Sequence, residues 1–107
     1  MELTYYNVSQ KELQIDVLLI KKAMLVLRAF NHQLRQQILR LISEKKELAV
    51  TDIYTRLGME QPVASQHLAI LRRARFVSSK RKGKKVMYSV NYDRLAEVQE
   101  LLKKLLH

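Results

Sequence analysis

Leu57-Gly58-Met59-Glu60-Gln61-Pro62-Val63-Ala64-Ser65-Gln66-His67-Leu68-Ala69-Ile70-Leu71 is the stretch from which the architecture can be read. Gly58 stands where a helix must stop, because glycine enters the left-handed conformation without a steric penalty. Pro62 fits the first turn of a new helix, where its missing N–H leaves no hydrogen bond unmade. Ala64, Leu68 and Leu71, at i, i+4 and i+7, give that helix one buried stripe. On the other side of Gly58, Ile53, Tyr54 and Leu57 give a short helix an inward face. Thr51 is its expected N-cap, and Asp52 suits the positive end of its dipole. Two helices joined through Gly58-Met59-Glu60-Gln61 make a helix-turn-helix.

Further upstream, Ser9 with Glu12 matches a capping box, which predicts a first helix beginning after Ser9. Leu13, Val17, Ile20, Met24 and Leu27 follow at coiled-coil spacing, while Leu18, Leu19, Leu25 and Val26 occupy other faces. A helix apolar on several faces has to be covered on several faces, so part of it is expected to meet another subunit. After Asn31-His32 a second helix is predicted over residues 33–43, with Leu34, Ile38, Leu41 and Ile42 as its core stripe. Glu44-Lys45-Lys46-Glu47 reads as a solvated turn. Downstream the period changes at Phe76. Phe76-Val77 and Val86–Val90 read as short strands around a polar loop, residues 78–85, with Gly83 at its tip. A last helix, capped by Asn91 or Asp93, carries Leu95, Val98, Leu101, Leu102, Leu105 and Leu106. The predicted fold is mainly α with a small β-hairpin, in the order ααααββα: one winged helix-turn-helix domain spanning residues 1–107.

A length of 107 residues suits one domain, and the absence of cysteine removes disulfides, thiolate metal sites and thiol redox sensing. Charge is the dominant compositional feature. Twenty Lys and Arg oppose ten Asp and Glu, a net charge of +10. Residues 1–60 hold 9 basic and 7 acidic side chains, whereas residues 61–107 hold 11 and 3, so the excess is local. Residues 72–85 carry eight positive charges in 14 positions and no acid: Arg72, Arg73, Arg75, Lys80, Arg81, Lys82, Lys84 and Lys85. A charge run is ordinarily a solvated face. Here nothing in the run neutralises it and a hairpin would project it, which points to a polyanionic partner.

Double-stranded DNA fits both features. The second helix of a helix-turn-helix offers its N-terminal residues to base edges, and Gln61, Val63, Ser65 and Gln66 face outward there. Gln pairs bidentately with adenine, Ser donates or accepts, and Val meets a thymine methyl. Arg72, Arg73, Lys80, Arg81, Lys82, Lys84 and Lys85 are the candidate contacts to the backbone, where they give affinity and register.

The run from Leu57 to Val77 resembles the recognition region of the ArsR/SmtB-type bacterial repressors. Arg81-Lys82-Gly83-Lys84-Lys85-Val86-Met87-Tyr88-Ser89-Val90 is similar to their basic wing and its return strand. Leu48-Ala49-Val50-Thr51-Asp52-Ile53 and Leu34-Arg35-Gln36-Gln37-Ile38-Leu39 match as well, and Arg35 joins the backbone-contacting set. The resemblance spans about residues 20–106. It implies a homodimeric winged-helix transcriptional regulator, usually a repressor, whose first and last helices form the dimer interface, here Leu13, Val17, Ile20 and Met24 with Val98.

The family's sensing chemistry has no counterpart among these residues. Ala49, Val50 and Thr51 occupy the neighbourhood where many members place metal-binding cysteines. Tyr92, Asp93 and Arg94, with Glu97, Glu100 and His107, do not supply the four ligands of a tetrahedral site on the last helix. No metal and no cofactor are therefore expected. His32 reads as a capping or turn residue, and His67 as structural or phosphate-facing. None of the three histidines has another at i+3 or i+4.

Catalysis has no support: there is no nucleophile with a partnered base and no glycine-rich phosphate loop, so no enzyme is expected. The N-terminus lacks the basic start of a signal peptide, and the most apolar stretch, residues 17–27, is too short to span a bilayer. A cytoplasmic, nucleoid-associated protein is the expectation. Two other readings remain open at this point: a nonspecific or architectural nucleic-acid binder using the same basic patch, and a winged-helix protein-interaction module.

Overall fold

The computed structural model describes residues 3–8 and 11–107, with side chains from Leu13 onward. In chain order the elements are β1 (Leu3–Val8), β2 (Lys11–Asp16), α1 (Val17–Phe30), α2 (Gln33–Lys45), β3 (Leu48–Ala49), α3 (Val50–Leu57), α4 (Gln61–Arg73), β4 (Val77–Lys82), β5 (Lys85–Val90) and α5 (Tyr92–Leu106). The mainly helical class and the ααααββα order of the winged core are as the sequence predicts. β1, β2 and β3 are additions to it.

The first addition corrects the start of the first helix. Lys11–Asp16 is a strand, paired antiparallel with β1 from Leu3↔Asp16 to Val8↔Lys11. Glu12, expected in a capping box, lies in this strand, and its proposed partner Ser9 falls outside the described residues. Residues 12–17, Glu-Leu-Gln-Ile-Asp-Val, alternate polar and apolar with the period of a strand. The helix starts at Val17, where Asp16 caps it by accepting from the Leu19 N–H at 2.9 Å.

The last four carbonyls of α1, which no helix can satisfy internally, each have a partner. Leu27 O accepts from Asn31 N–H at 2.7 Å, and Phe30 O from His32 N–H at 3.0 Å and the Gln36 amide at 2.9 Å. Arg28 O and Ala29 O accept from the Arg35 guanidinium, both at 2.8 Å. Arg35 and Gln36, at the start of α2, thus close the end of α1, and a cation at a helix C-terminus also suits its dipole.

The core sits among α2, α3, α4 and the strands, with Ala29 of α1 and Val98 of α5 closing it. Phe76, Ile38, Ile42, Ile53, Leu68 and Leu71 are wholly enclosed, and the Phe30 and Phe76 rings pack 5.2 Å apart. The stripe read for α4, Ala64, Leu68 and Leu71, is buried as expected. On α2, Leu39 is buried where Leu34 was expected, and Leu34 faces outward. β3, β5 and β4 form an antiparallel sheet in that order, with Leu48↔Tyr88 and Ala49↔Met87 joining β3 to β5. This pairing holds Leu48 and Ala49 extended, so α3 begins at Val50. Ala49, not Thr51, occupies its N-cap, without a side-chain bond.

α3 and α4 both end in Schellman motifs. Gly58 (φ +62°) closes α3, with Met59 N–H on Tyr54 O and Gly58 N–H on Thr55 O. α4 closes the same way, with Phe76 N–H on Leu71 O and Arg75 N–H on Arg72 O, but its left-handed residue is Arg75 (φ +67°). An arginine there retains a charge at the root of the hairpin at the expense of backbone strain. Arg75→Gly is expected to stabilise the fold by about 0.5–1 kcal/mol, because release of left-handed strain outweighs the greater unfolded-state entropy of glycine. Urea denaturation with an unchanged m-value checks it.

Candidate nucleic-acid interface

α4 is held by its buried stripe, and Pro62 lies in its first turn. That fixes which face is outward: Gln61, Val63, Ser65 and Gln66 are all exposed, together with Pro62, Ala69, Arg72 and Arg73. Gln66 and Arg73 lie near the centre of this face and Val63 on one flank. Ser65 and Arg72 lie on the flank nearer the hairpin, where Arg72 reaches Ser79 Oγ at 3.5 Å. The sequence reading passed over Pro62 and Ala69, whose small apolar surfaces share the same face. The i, i+4, i+7 and i+11 spacing of 62, 66, 69 and 73 is the signal that would have found them.

The hairpin differs from the predicted one in extent. Its strands run to Lys82 and from Lys85, so the turn is Gly83-Lys84 alone, with Gly83 at φ +62°. Positive φ at the first of two turn residues is the type II′ requirement, which glycine meets without strain. Lys80, Arg81, Lys82, Lys84 and Lys85 are exposed; all but Lys84, which sits in the turn, ride on paired strands instead of a loose loop. Cations on the edge strand β4 also discourage edge-to-edge association.

The expectation that no acid neutralises this run needs correction. Glu47, read as part of a solvated turn, forms an ion pair with Lys82 at 2.7 Å. Both side chains are more than a third exposed, so the pair is weak and open to exchange. Arg35 also leaves the backbone-contacting set: it is 6% exposed and its guanidinium is committed inside the protein.

Arg35 Nη1 lies 3.3 Å from His67 Nδ1, joining α2 to α4, and the His32 ring packs 4.9 Å from that of His67. His32 Nδ1 in turn accepts from the Leu34 N–H at 3.2 Å and caps α2, as its sequence position suggested. Burial, then the neighbouring His32 and Arg35, lower the His67 imidazole below its ordinary value near 6.5. Arg35 has no acceptor, so this bond requires neutral His67. A depressed folded-state value means the stabilisation is complete above about pH 6.5 and is lost as pH falls through and below it. The urea midpoint is expected to drop between about pH 7 and 5. His67→Gln, which can still accept from Arg35, is expected to flatten that dependence.

The apolar residues expected at a dimer interface divide. Leu13, Ile20 and Met24 are exposed, as are Leu19 and Leu25, and Val17 is half-buried. Leu13 belongs to β2 and not to the helical stripe. Val98 is 5% exposed and packs in the protomer's own core, so it is not an interface residue. Leu101, Leu105 and Leu106 on α5 are the exposed ones.

Comparison with known proteins identifies the helix-turn-helix. Residues 32–79 match the sequence pattern of the bacterial regulatory protein, arsR family. An HTH-type transcriptional regulator of Methanocaldococcus jannaschii is 33% identical over 85 residues, covering 79% of this chain and 96% of the relative. The chain belongs to the arsR family. It is accordingly a transcriptional regulator with a winged helix-turn-helix fold and not an enzyme. The transcriptional activator HlyU of Vibrio cholerae is 34% identical over 84 residues, 78% of this chain and 77% of HlyU. A HlyU structure from that organism superimposes with a TM-score of 0.64 at 32% identity, covering 84% and 97% of the two chains. A homodimeric winged helix-turn-helix DNA-binding domain from Mycobacterium bovis gives 0.67 at 26%, covering 94% and 88%. Among the described residues of this arsR-family chain, no helix is long and apolar enough to cross a membrane.

Proposed function

We propose that this regulator binds duplex DNA sequence-specifically as a homodimer and represses transcription by occupying its site, acting in the cytoplasm on the nucleoid. The observation that carries the reading is the outward face of α4, exposed from Gln61 to Arg73 and flanked by the cationic hairpin. Gln61, Val63, Ser65 and Gln66 read base edges in the major groove. Arg72, Arg73, Lys80, Arg81, Lys82, Lys84 and Lys85 hold the backbone. Ile20 and Met24 of α1, with Leu101 and Leu105 of α5, all exposed, supply a self-complementary apolar surface. The homodimeric M. bovis domain supports this assembly by analogy. Two recognition helices would then enter successive major grooves about 34 Å apart on an imperfect palindrome. With no cysteine in the chain, the reading includes no thiolate metal site.

The density of cations on the wing also favours a second reading, binding without sequence choice. One experiment separates the two. In anisotropy titrations against a selected palindrome and its scrambled versions, Gln66→Ala is expected to erode discrimination at one position per half-site. The loss is about 1–3 kcal/mol, and scrambled duplexes should bind as before. Equal affinity of the unaltered protein for selected and scrambled duplexes would establish the nonspecific reading. A promoter reporter that rises on expression of the protein would contradict repression.

A further inference from the structure

The charged rim of a cleft on the flank of α4 points to a ligand. Where α1 passes the C-terminal end of α4, a cavity of about 430 Å³ opens, within the roughly 300–1,000 Å³ range of small-molecule sites. Lys22, Leu25, Val26 and Ala29 line it from α1, at spacings that place them on one helical face. Ile70, Arg73 and Ala74 line it from the end of α4. The hollow exists because Ala29 and Ala74, both buried, offer a methyl group where the helices cross and a larger side chain would fill the gap.

Its chemistry is two-sided. Most of its surface is apolar, from Leu25, Val26, Ala29, Ile70 and Ala74, and Leu25 is 60% exposed. The polar lining is entirely cationic, Lys22, Arg28, Arg35 and Arg73, with no acidic residue. Arg35 commits three of its five N–H groups, to Ala29 O, Arg28 O and His67, leaving two for a further acceptor. An apolar trough with positive charge at its edge complements a molecule with a hydrocarbon tail and an anionic head.

We propose that the α1–α4 cleft binds an amphipathic carboxylate, an acyl chain lying on Val26, Ala29, Ile70 and Ala74 with its head among Lys22, Arg28 and Arg73. Arg73 also stands on the outward face of α4. A head group that engages it draws it from the DNA backbone, so ligand and DNA oppose each other, each weakening the other by the same factor. This opposition rests on the DNA-binding reading; occupancy of the cleft does not.

The test is calorimetry and amide-shift NMR on the full chain, without DNA, using hexanoate, octanoate and decanoate as probes. Saturable binding of one carboxylate per chain is expected, tightening about two- to fourfold per methylene, with shifts centred on Val26, Ala29 and Ile70. Decyltrimethylammonium should bind about tenfold more weakly or worse, for want of charge-assisted contacts. The exposed pair Lys22→Glu/Arg28→Glu should lose about tenfold in decanoate affinity while melting like the parent, whereas the charge-matched pair Lys45→Glu/Lys104→Glu should lose none. Absence of saturable binding at millimolar decanoate overturns the proposal. So does equal loss in both variant pairs, which indicates general charge attraction. Loss of dimerisation in Lys22→Glu/Arg28→Glu, with no decanoate bound by the parent, would assign the cleft to a second copy and overturn it too. In a separate arm, decanoate is expected to weaken duplex binding in the parent and not in Lys22→Glu/Arg28→Glu. Failure of all duplex binding would undo the DNA reading and leave the calorimetric result standing.

Discussion

Replacing Lys80, Arg81, Lys84 and Lys85 together by glutamine is expected to weaken duplex binding about 10³-fold near physiological salt. The expectation follows from counterion release. If each of these side chains meets one phosphate, a dimer loses about eight contacts, and the slope of log affinity against log salt becomes shallower by about 7. Glutamine is shorter than lysine or arginine but keeps a polar N–H donor, so the change chiefly removes charge. All four residues are exposed and none enters the core, so the melting temperature should stay close to that of the parent. Lys82 is left in place because Glu47 already shares its charge. Anisotropy titrations at four salt concentrations measure both quantities. An unchanged salt slope would remove the wing from the phosphates.

Arg35→Ala has the largest expected effect on stability, about 3 kcal/mol, because it strips charged donors from two carbonyls at the end of α1. For a chain of this length that corresponds to a fall in melting temperature of roughly 10–15 °C. Arg35→Lys should recover less than half, since one ammonium cannot span both carbonyls and His67 in the manner of a planar fork. The salt slope of DNA binding should not move. A stable Arg35→Ala protein whose slope falls by about 2, one phosphate per protomer, would return the residue to the DNA backbone.

Arg35 shows where sequence reading reaches its limit. Its place beside Leu34 and Gln36 suits a phosphate contact as well as an internal clamp. Its acceptors are backbone carbonyls, and a backbone carbonyl carries no residue identity from which to infer it. The helix-turn-helix was legible because independent signals agreed there: Gly58 as a stop, Pro62 as a start, and a stripe at Ala64, Leu68 and Leu71. At the N-terminal end two signals conflicted. The heptad through Leu13, Val17 and Ile20 favoured a helix, while alternation over residues 12–17 favoured a strand. Pairing with β1, a nonlocal partner, is what the strand reading needed. Val98 was misassigned for a related reason, because helical spacing places it on an apolar face without saying whether core or partner covers that face. The Glu47–Lys82 pair joins residues 35 positions apart and left no local trace.

The two-residue strand β3 has a wider consequence. It runs straight into α3 and is hydrogen-bonded to β5, so the cationic hairpin and the helix-turn-helix are welded into one block. Among the described residues of a single copy, no joint separates the hairpin from the helix-turn-helix. On the proposed dimeric reading, a change of shape alters the fit to a palindrome through the distance and tilt between two such blocks, whereas a ligand in the α1–α4 cleft acts on a charge inside one of them.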